Sequence, residues 1–191
     1  EPSLDNQAAR VTEICKRSGA RTVRMALDDA ERAKLWAGRK AAFGAIGRLA
    51  PDLFVQDAVV PRTKLADMLS TIHEICDREG VQVSNVFHAG DGNLHPNVPF
   101  DGRDKDQVER VERVMKEVIH ACVEVGGTIS GEHGVGKDKR KYMDLIFTPE
   151  TLEVMAGIRD VWNPRGLLNP GKILPDRFAK AVPPRTAGTQ R

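Results

Sequence analysis

Apolar positions recur at helical spacing in five segments of the chain. The longest is residues 104–125, where Val108, Val111, Met115 and Val118 fall on one face. The other four cover residues 2–18, the stretch after a capping Asp28 or Asp29, residues 63–78 and residues 149–161. We therefore predict five helices.

Between these helices the pattern is that of strands. Residues 21–27 alternate, residues 53–60 are rich in valine and stop at Pro61, and residues 81–98 are strand-like with a turn at 90–93. The tight turn favours an α+β domain, with an antiparallel sheet and helices packed on one face, over a small parallel α/β domain. We expect this domain to span residues 1–175, and the polar, proline-containing residues 176–191 to form a disordered tail.

Composition excludes several classes of function. The net charge of +2 and the aromatic content of 5% argue against binding to nucleic acid or acidic membranes. The three cysteines are too far apart for a cysteine metal site and suggest buried, reduced thiols. With no signal peptide and no apolar run long enough to span a bilayer, we expect a cytoplasmic protein. Because the chain opens at Glu1 without methionine, we also expect it to be part of a longer protein.

The most specific motif is the segment from His88 to His95, which reads HAGDGNLH. An Asp-Gly pair favours a two-residue hairpin loop. With Asp91 and Gly92 as that loop, His88 lies opposite His95, at a separation that allows two imidazoles to share one metal ion. Asn97 follows on the same face. A histidine in a strand is more often a packing residue, so spacing alone leaves both readings open.

A second motif, GEHGVG at residues 131–136, supplies a carboxylate and an imidazole between glycines. Glu132 could be the third metal ligand, leaving a coordination position open for substrate. Because adjacent residues of an extended chain point to opposite sides, His133 is then free for acid/base work. A glycine-rich turn with incidental polar residues is the alternative. The spacing does not fit a phosphate-binding loop.

Together with the NPGK segment at residues 169–172, these motifs resemble the C-terminal domain of FAD-linked oxidases, up to about Pro175. That family includes the glycolate oxidase flavin subunit, D-lactate dehydrogenases and D-2-hydroxyglutarate dehydrogenase. The resemblance implies a ferredoxin-like cap domain that binds substrate and metal. FAD would be held mainly by a separate N-terminal domain, which is the expected partner, so we expect this chain to be inactive alone.

The resemblance also implies roles for single residues. His88, His95 and Glu132 match the ligands of a divalent metal, zinc or manganese. His133 matches the residue that takes the hydroxyl proton, and Asn97 matches a residue lining the substrate site.

Three further positions match the family outside the two motifs. Arg39 matches an arginine that holds the substrate carboxylate, and Asn169 and Lys172 lie where the chain returns toward the flavin. One departure matters: Val55 stands where hydroxyglutarate enzymes carry a lysine. This favours glycolate or D-lactate over a dicarboxylic acid.

The implied reaction is the oxidation of a small D-2-hydroxy acid to the 2-oxo acid. Two alternatives from other classes stay open: a stand-alone metal-dependent hydrolase, and a structural or interaction domain without metal. The sequence also leaves open an electron-acceptor subunit and a homodimer.

Overall fold

The computed structural model describes residues 3–179, and the chain divides into two compact units, residues 1–44 and 45–191. The first unit is helical. Helix α1 (Leu4–Arg17) begins where the Ser3 side chain accepts a hydrogen bond from the Asn6 N–H. Helix α2 (Asp29–Ile46) begins at Asp28, whose carboxylate accepts from the Glu31 N–H at 2.7 Å. Of the two capping residues predicted, Asp28 and Asp29, the structure shows Asp28.

The predicted strand at residues 21–27 is wrong. This segment is irregular and joins no ladder among the described residues. It is held instead by Glu31, which accepts hydrogen bonds from the Leu27 N–H and from Arg24. Alternation alone does not make a strand, because a strand also needs a neighbour to satisfy its backbone groups.

The second unit combines antiparallel strands with three helices. Its strands are β1 (Asp52–Val55), β2 (Ala58–Val59), β3 (Ser84–Asn85), β4 (Asn93–Leu94) and β5 (Pro96–Phe100), and its helices are α3 (Leu65–Arg78), α4 (Lys105–Glu124) and α5 (Pro149–Trp162). Short 3₁₀ turns cover Arg62–Lys64, Arg140–Leu145 and Asp176–Phe178. The α+β class is confirmed, although the strands form two small sheets, ordered β1-β5-β3 and β2-β4.

One register runs through both sheets. Val55 pairs with Asn97, and Ala58 pairs with Leu94 in the same antiparallel frame. Between these pairs the Gln56 N–H still bonds to the Pro96 carbonyl at 3.0 Å. Pro96 has no N–H to return, so the regular ladder breaks there. The predicted strand at 53–60 is therefore two strands, and the break places Asp57 opposite His95.

Helices α3 and α4 pack against each other, and α4 covers β2 and β5. A buried cluster joins these elements through side chains such as Ile72, Leu94, Val98 and Val118. A second cluster lies between the far side of α4, the 140–145 turn and α5, around Ile119 and Leu152. Helix α4 therefore belongs to both clusters, and Ile129 in the loop that follows it is buried in the second.

The predicted tail at residues 176–191 begins with the 3₁₀ turn and lies, from residue 180 onward, outside the described residues. In the part of the chain that the structure describes, no helix is long and apolar enough to cross a membrane.

Candidate metal and substrate site

The hairpin that carries the two histidines has a different register from the predicted one. His88 pairs with Asn93, and the Val86 N–H bonds to the His95 carbonyl at 3.3 Å. Four residues, 89–92, form the loop. Gly92 has a φ of +72° and lies so close to the Val60 carbonyl that a Cβ would approach its oxygen to 2.2 Å. This contact fixes the loop.

His88 and His95 are consequently diagonal neighbours and not directly opposite, which corrects the prediction. They still project from one face, because residues 93 and 95 are two apart along the chain. Their ring centroids are 5.6 Å apart. The two histidine side chains are therefore still neighbours, although the register differs from the predicted one.

Glu132 completes a group of three donors. Its Oε1 lies 2.9 Å from His95 Nε2 and 3.7 Å from His88 Nε2. The ligand atoms of these three residues all lie within 4.8 Å of one another. The His95 side chain is only 9% exposed, whereas those of His88 and Glu132 are about half exposed, at 47% and 50%. One side of the group is thus closed and the other is open.

His133 joins the group, contrary to the expectation that it faces elsewhere. Its ring stacks on His95 with centroids 4.9 Å apart, and its Nε2 lies 3.7 Å from Glu132 Oε1. The expectation assumed an extended chain. The backbone N–H groups of residues 131, 132 and 133 instead converge on one carboxylate, so neighbouring side chains do not alternate.

That carboxylate belongs to Asp57, which is fully buried and which the sequence did not single out. It also accepts a hydrogen bond from Ser130 Oγ at 2.8 Å and lies 3.5 Å from Lys139 Nζ. Burial by itself raises the pKa of a carboxyl group. Here the His133 N–H, the Ser130 hydroxyl and the Lys139 cation outweigh it and lower the pKa of Asp57 to about 2. A charged residue inside an apolar strand pattern was the available signal, since such a group needs partners.

Lys139 is the cation buried beside Asp57. Its Nζ donates to the Asp57 carbonyl at 2.5 Å, and its side chain is 12% exposed. Burial lowers the pKa of Lys139, and the Asp57 charge acts in the opposite direction.

The hydrogen bonding of His95 is that expected of a metal ligand. Its Nδ1 lies 3.2 Å from the Gln56 carbonyl, which can only accept, so Nδ1 carries the proton. Its Nε2 then faces a carboxylate oxygen at 2.9 Å. A cation or a second proton must lie between two such acceptors. Metal-bound histidines commonly donate their other N–H to a carbonyl in this way.

Asn97 is buried next to the site. Its Nδ2 donates to the carbonyls of His95 and Ser84, at 2.7 and 3.2 Å, which leaves only Oδ1 without a protein partner. Its predicted contact with substrate therefore stays a prediction, and the structure shows it bracing the His95 backbone.

The NPGK segment at residues 169–172 lies next to the GEHGVG motif at residues 131–136, and hydrogen bonds join the two regions. The Ile173 N–H donates to the Gly136 carbonyl at 2.7 Å, and Arg140 donates to the Gly171 carbonyl at 2.9 Å. Asn169 and Lys172 lie in this turn with exposed side chains, and their role toward FAD stays a prediction. Arg39 lies on α2 in the first unit, also exposed.

A cavity of about 360 Å³ opens beside His133. Its walls include Val55, Val135, Tyr142 and Lys139. Its volume lies in the range of pockets that take small molecules.

Comparison with known proteins finds relatives over most of the chain. The chain is 41% identical to the glycolate oxidase subunit GlcD of Escherichia coli (strain K12) over 175 residues, which cover 92% of this chain and 35% of that protein. It is 31% identical to the mitochondrial D-lactate dehydrogenase [cytochrome] of Arabidopsis thaliana over 171 residues, or 88% of this chain and 30% of that one. It is 34% identical to the D-2-hydroxyglutarate dehydrogenase of Haemophilus influenzae over 144 residues, or 73% of this chain and 14% of that one.

The chain thus spans about a third of the length of the first two relatives. Residues 1–173 match the family described as FAD linked oxidases, C-terminal domain. The chain therefore belongs to the C-terminal domain family of FAD-linked oxidases.

Proposed function

We propose that this chain is the substrate- and metal-binding domain of a flavin-dependent dehydrogenase that oxidises a small D-2-hydroxy acid to the 2-oxo acid. The observation that carries the proposal is the grouping of His88, His95 and Glu132 within 4.8 Å, with His133 stacked on His95. Two nitrogens and one oxygen suit zinc or manganese and leave room for a substrate oxygen.

When bound, the flavin supplies the acceptor for the C2 hydride, and the divalent ion supplies Lewis-acid polarisation of the substrate hydroxyl. His133 accepts the hydroxyl proton at Nε2, the ring nitrogen that faces the donor group at 3.7 Å from Glu132 Oε1. Stacking on the buried His95 holds the ring of His133 in that orientation. The chain thus contributes proton transfer and positioning.

Arg39 would hold the substrate carboxylate. A guanidinium binds a carboxylate through two parallel hydrogen bonds, and the Arg39 side chain is exposed on α2. Asn97 would line the site from beneath His95, since its side chain is fully buried and its Oδ1 has no partner among the described residues.

The substrate that we favour is a monocarboxylate of the glycolate or D-lactate type. Val55 lies in the wall of the cavity beside His133, at the position where the resemblance places a lysine in hydroxyglutarate enzymes. The cationic side chains in that wall are instead those of Lys139, which is paired with Asp57, and Lys141. The names of two relatives, a glycolate oxidase subunit and a D-lactate dehydrogenase, agree with this choice, whereas that of a third, a D-2-hydroxyglutarate dehydrogenase, does not. Comparing glycolate, D-lactate and D-2-hydroxyglutarate as substrates of the full-length flavoprotein tests it.

The test of the proposed function is metal content. Purified chain supplied with zinc or manganese should retain close to one divalent ion by plasma mass spectrometry. His88→Ala and His95→Ala should each lose most of it, because each removes one of three donors. His73→Ala is the matched control, since His73 is exposed on α3 and should leave metal content unchanged.

A second measurement separates the classes of function. With FAD and D-lactate added, the chain alone should show no turnover, because we assign the flavin site to another part of the protein. Metal-dependent hydrolysis by the chain alone would favour a hydrolase. An absence of metal from the wild type would favour a structural domain and contradict the proposal.

A further inference from the structure

The Asp57 carboxylate links the two halves of the candidate site, which are the strands that position His95 and the loop at residues 130–133. It lies in the break between β1 and β2, opposite His95 in the strand register. Its hydrogen-bond partners are Ser130, Gly131, Glu132 and His133, which lie 73 to 76 residues away along the chain. It therefore ties the histidine strand to the loop that carries the carboxylate donor.

On the loop side, the contacts are to backbone. The N–H groups of Gly131, Glu132 and His133 donate to Asp57 Oδ2 at 2.9, 3.2 and 3.0 Å. Three successive N–H groups can converge on one anion only in a tightly curved backbone. This curvature is what brings the side chains of Glu132 and His133 to the same place.

On the strand side, the same two-residue break orients His95. The Gln56 carbonyl accepts from His95 Nδ1, and the neighbouring Asp57 carbonyl accepts from Lys139 Nζ. Lys139 thus holds the peptide of residue 57 while its charge faces the carboxylate. The orientation of His95 and the curvature of the loop depend on one short segment.

We propose that Asp57 is a positioning residue of this site, which holds Glu132 and His133 at the distance from His95 that metal binding requires. The inference rests on the proposed function. Asp57 lies within 4.8 Å of donor atoms of His95 and His133, but its carboxylate oxygens accept hydrogen bonds from the loop, so we assign it a part without direct contact to metal or substrate. Partners that orient metal ligands typically change metal affinity by about 10- to 100-fold when they are removed.

The single variant Asp57→Asn has to be tested together with a second variant, because it disturbs more than the loop. Asp57→Asn keeps the shape of the side chain, but its NH₂ group would face N–H donors, and Lys139 would be left buried without its counter-charge. The double variant Asp57→Asn/Lys139→Met removes both charges and so limits the loss of stability. Asp52→Asn is the matched control, because Asp52 also accepts a backbone N–H, from Gly102 at 2.8 Å, in another loop.

The experiment measures zinc affinity by competition with a chromophoric chelator, and hydrogen exchange of the amides of residues 131–133 in the metal-free chain. We expect the double variant, folded by circular dichroism, to bind zinc about 10- to 100-fold more weakly and to lose protection at these amides. The Asp52→Asn control should match the wild type in both measurements.

A folded double variant with wild-type zinc affinity would overturn the inference, and so would unchanged protection of the three amides. If the wild type binds no zinc, the proposed function fails. The exchange comparison in the metal-free chain still decides whether Asp57 holds the loop.

Discussion

At the scale of single residues, Gly131 shows how little space the site leaves. A Cβ at this position would lie 2.7 Å from Val59 Cγ2 and 2.8 Å from Asn93 Cγ, both shorter than real Cβ contacts. The strand pair and the loop therefore touch through this glycine. Glycine is needed at this position because the backbone of the loop packs closely against the strands, and not because it takes part in the chemistry of the site.

Gly131→Ala should lower the free energy of unfolding by about 1–3 kcal/mol, because the added methyl group forces its neighbours apart. Gly157→Ala is the matched control. Gly157 lies inside α5 with no atom within 4 Å of the added Cβ, so this change should raise stability by up to about 1 kcal/mol. Urea denaturation checks both values, and equal stability of Gly131→Ala and the wild type would disprove the steric account.

How far the sequence predicts the site also follows from single residues. The proximity of His88 and His95 is predictable because both lie in one hairpin. The predicted register is wrong, but the two side chains remain close because both project from one face. Asp57 and Lys139 are not predictable from spacing. Their partners lie tens of residues away, and sequence alone does not show which strand faces which loop.

At the scale of elements, the α3–α4 pair buries two thiols. Cys76 on α3 is 1% exposed and Cys122 on α4 is 0% exposed, whereas Cys15 on α1 is only partly buried, which corrects the prediction of three buried thiols. Burial raises the pKa of Cys76 to about 11 and that of Cys122 to about 12. Both stay protonated in the folded protein at a pH where an unfolded thiol ionises.

The folded-state pKa values lie above the unfolded value of 9.0, so the stability that these thiols contribute is complete below pH 9 and is lost as the pH rises. Each should lower the free energy of unfolding by about 1.4 kcal/mol per pH unit between pH 9 and 11. Cys122→Ala should make the decrease in the free energy of unfolding smaller by about 1.4 kcal/mol per pH unit, which is the contribution of one thiol. Val118→Ala, which removes buried volume from the same helix, should keep the wild-type slope. A slope unchanged in Cys122→Ala would count against the assignment.

Elements also differ in how well the sequence predicts them. The helices at 63–78 and 104–125 begin and end within two residues of their predicted bounds, because their apolar faces are buried and strictly periodic. The strands are predicted less well. Residues 21–27 find no pairing partner, and residues 53–60 divide at a proline that lies on the opposite strand, which the strand's own sequence does not contain.

At the scale of the whole molecule, the two units differ in how much they bury. None of the described residues 3–44 is buried, and α2 exposes 58% of Trp36 and 46% of Phe43. The second unit contains both buried clusters. Since burial of apolar surface is the main stabilising contribution, the units should differ in stability.

Hydrogen exchange monitored by mass spectrometry checks this difference. Peptides from residues 4–44 should exchange about 100-fold faster or more than peptides from α3 and α4, because their helices open without breaking a core. Equal protection of α1 and α4 would show that the chain opens as one cooperative unit.

The uneven exposure of the three donors has a consequence for which ion the proposed site would select. His88 and Glu132 are about half exposed to solvent, so dissolved ions and chelators reach the site directly from that side. A donor set of two imidazoles and a carboxylate favours later first-row ions over manganese in the usual order of affinity. If the site exchanges freely with its surroundings, supply and affinity together select its ion. Chain from zinc-rich and manganese-rich cultures should then carry different metals.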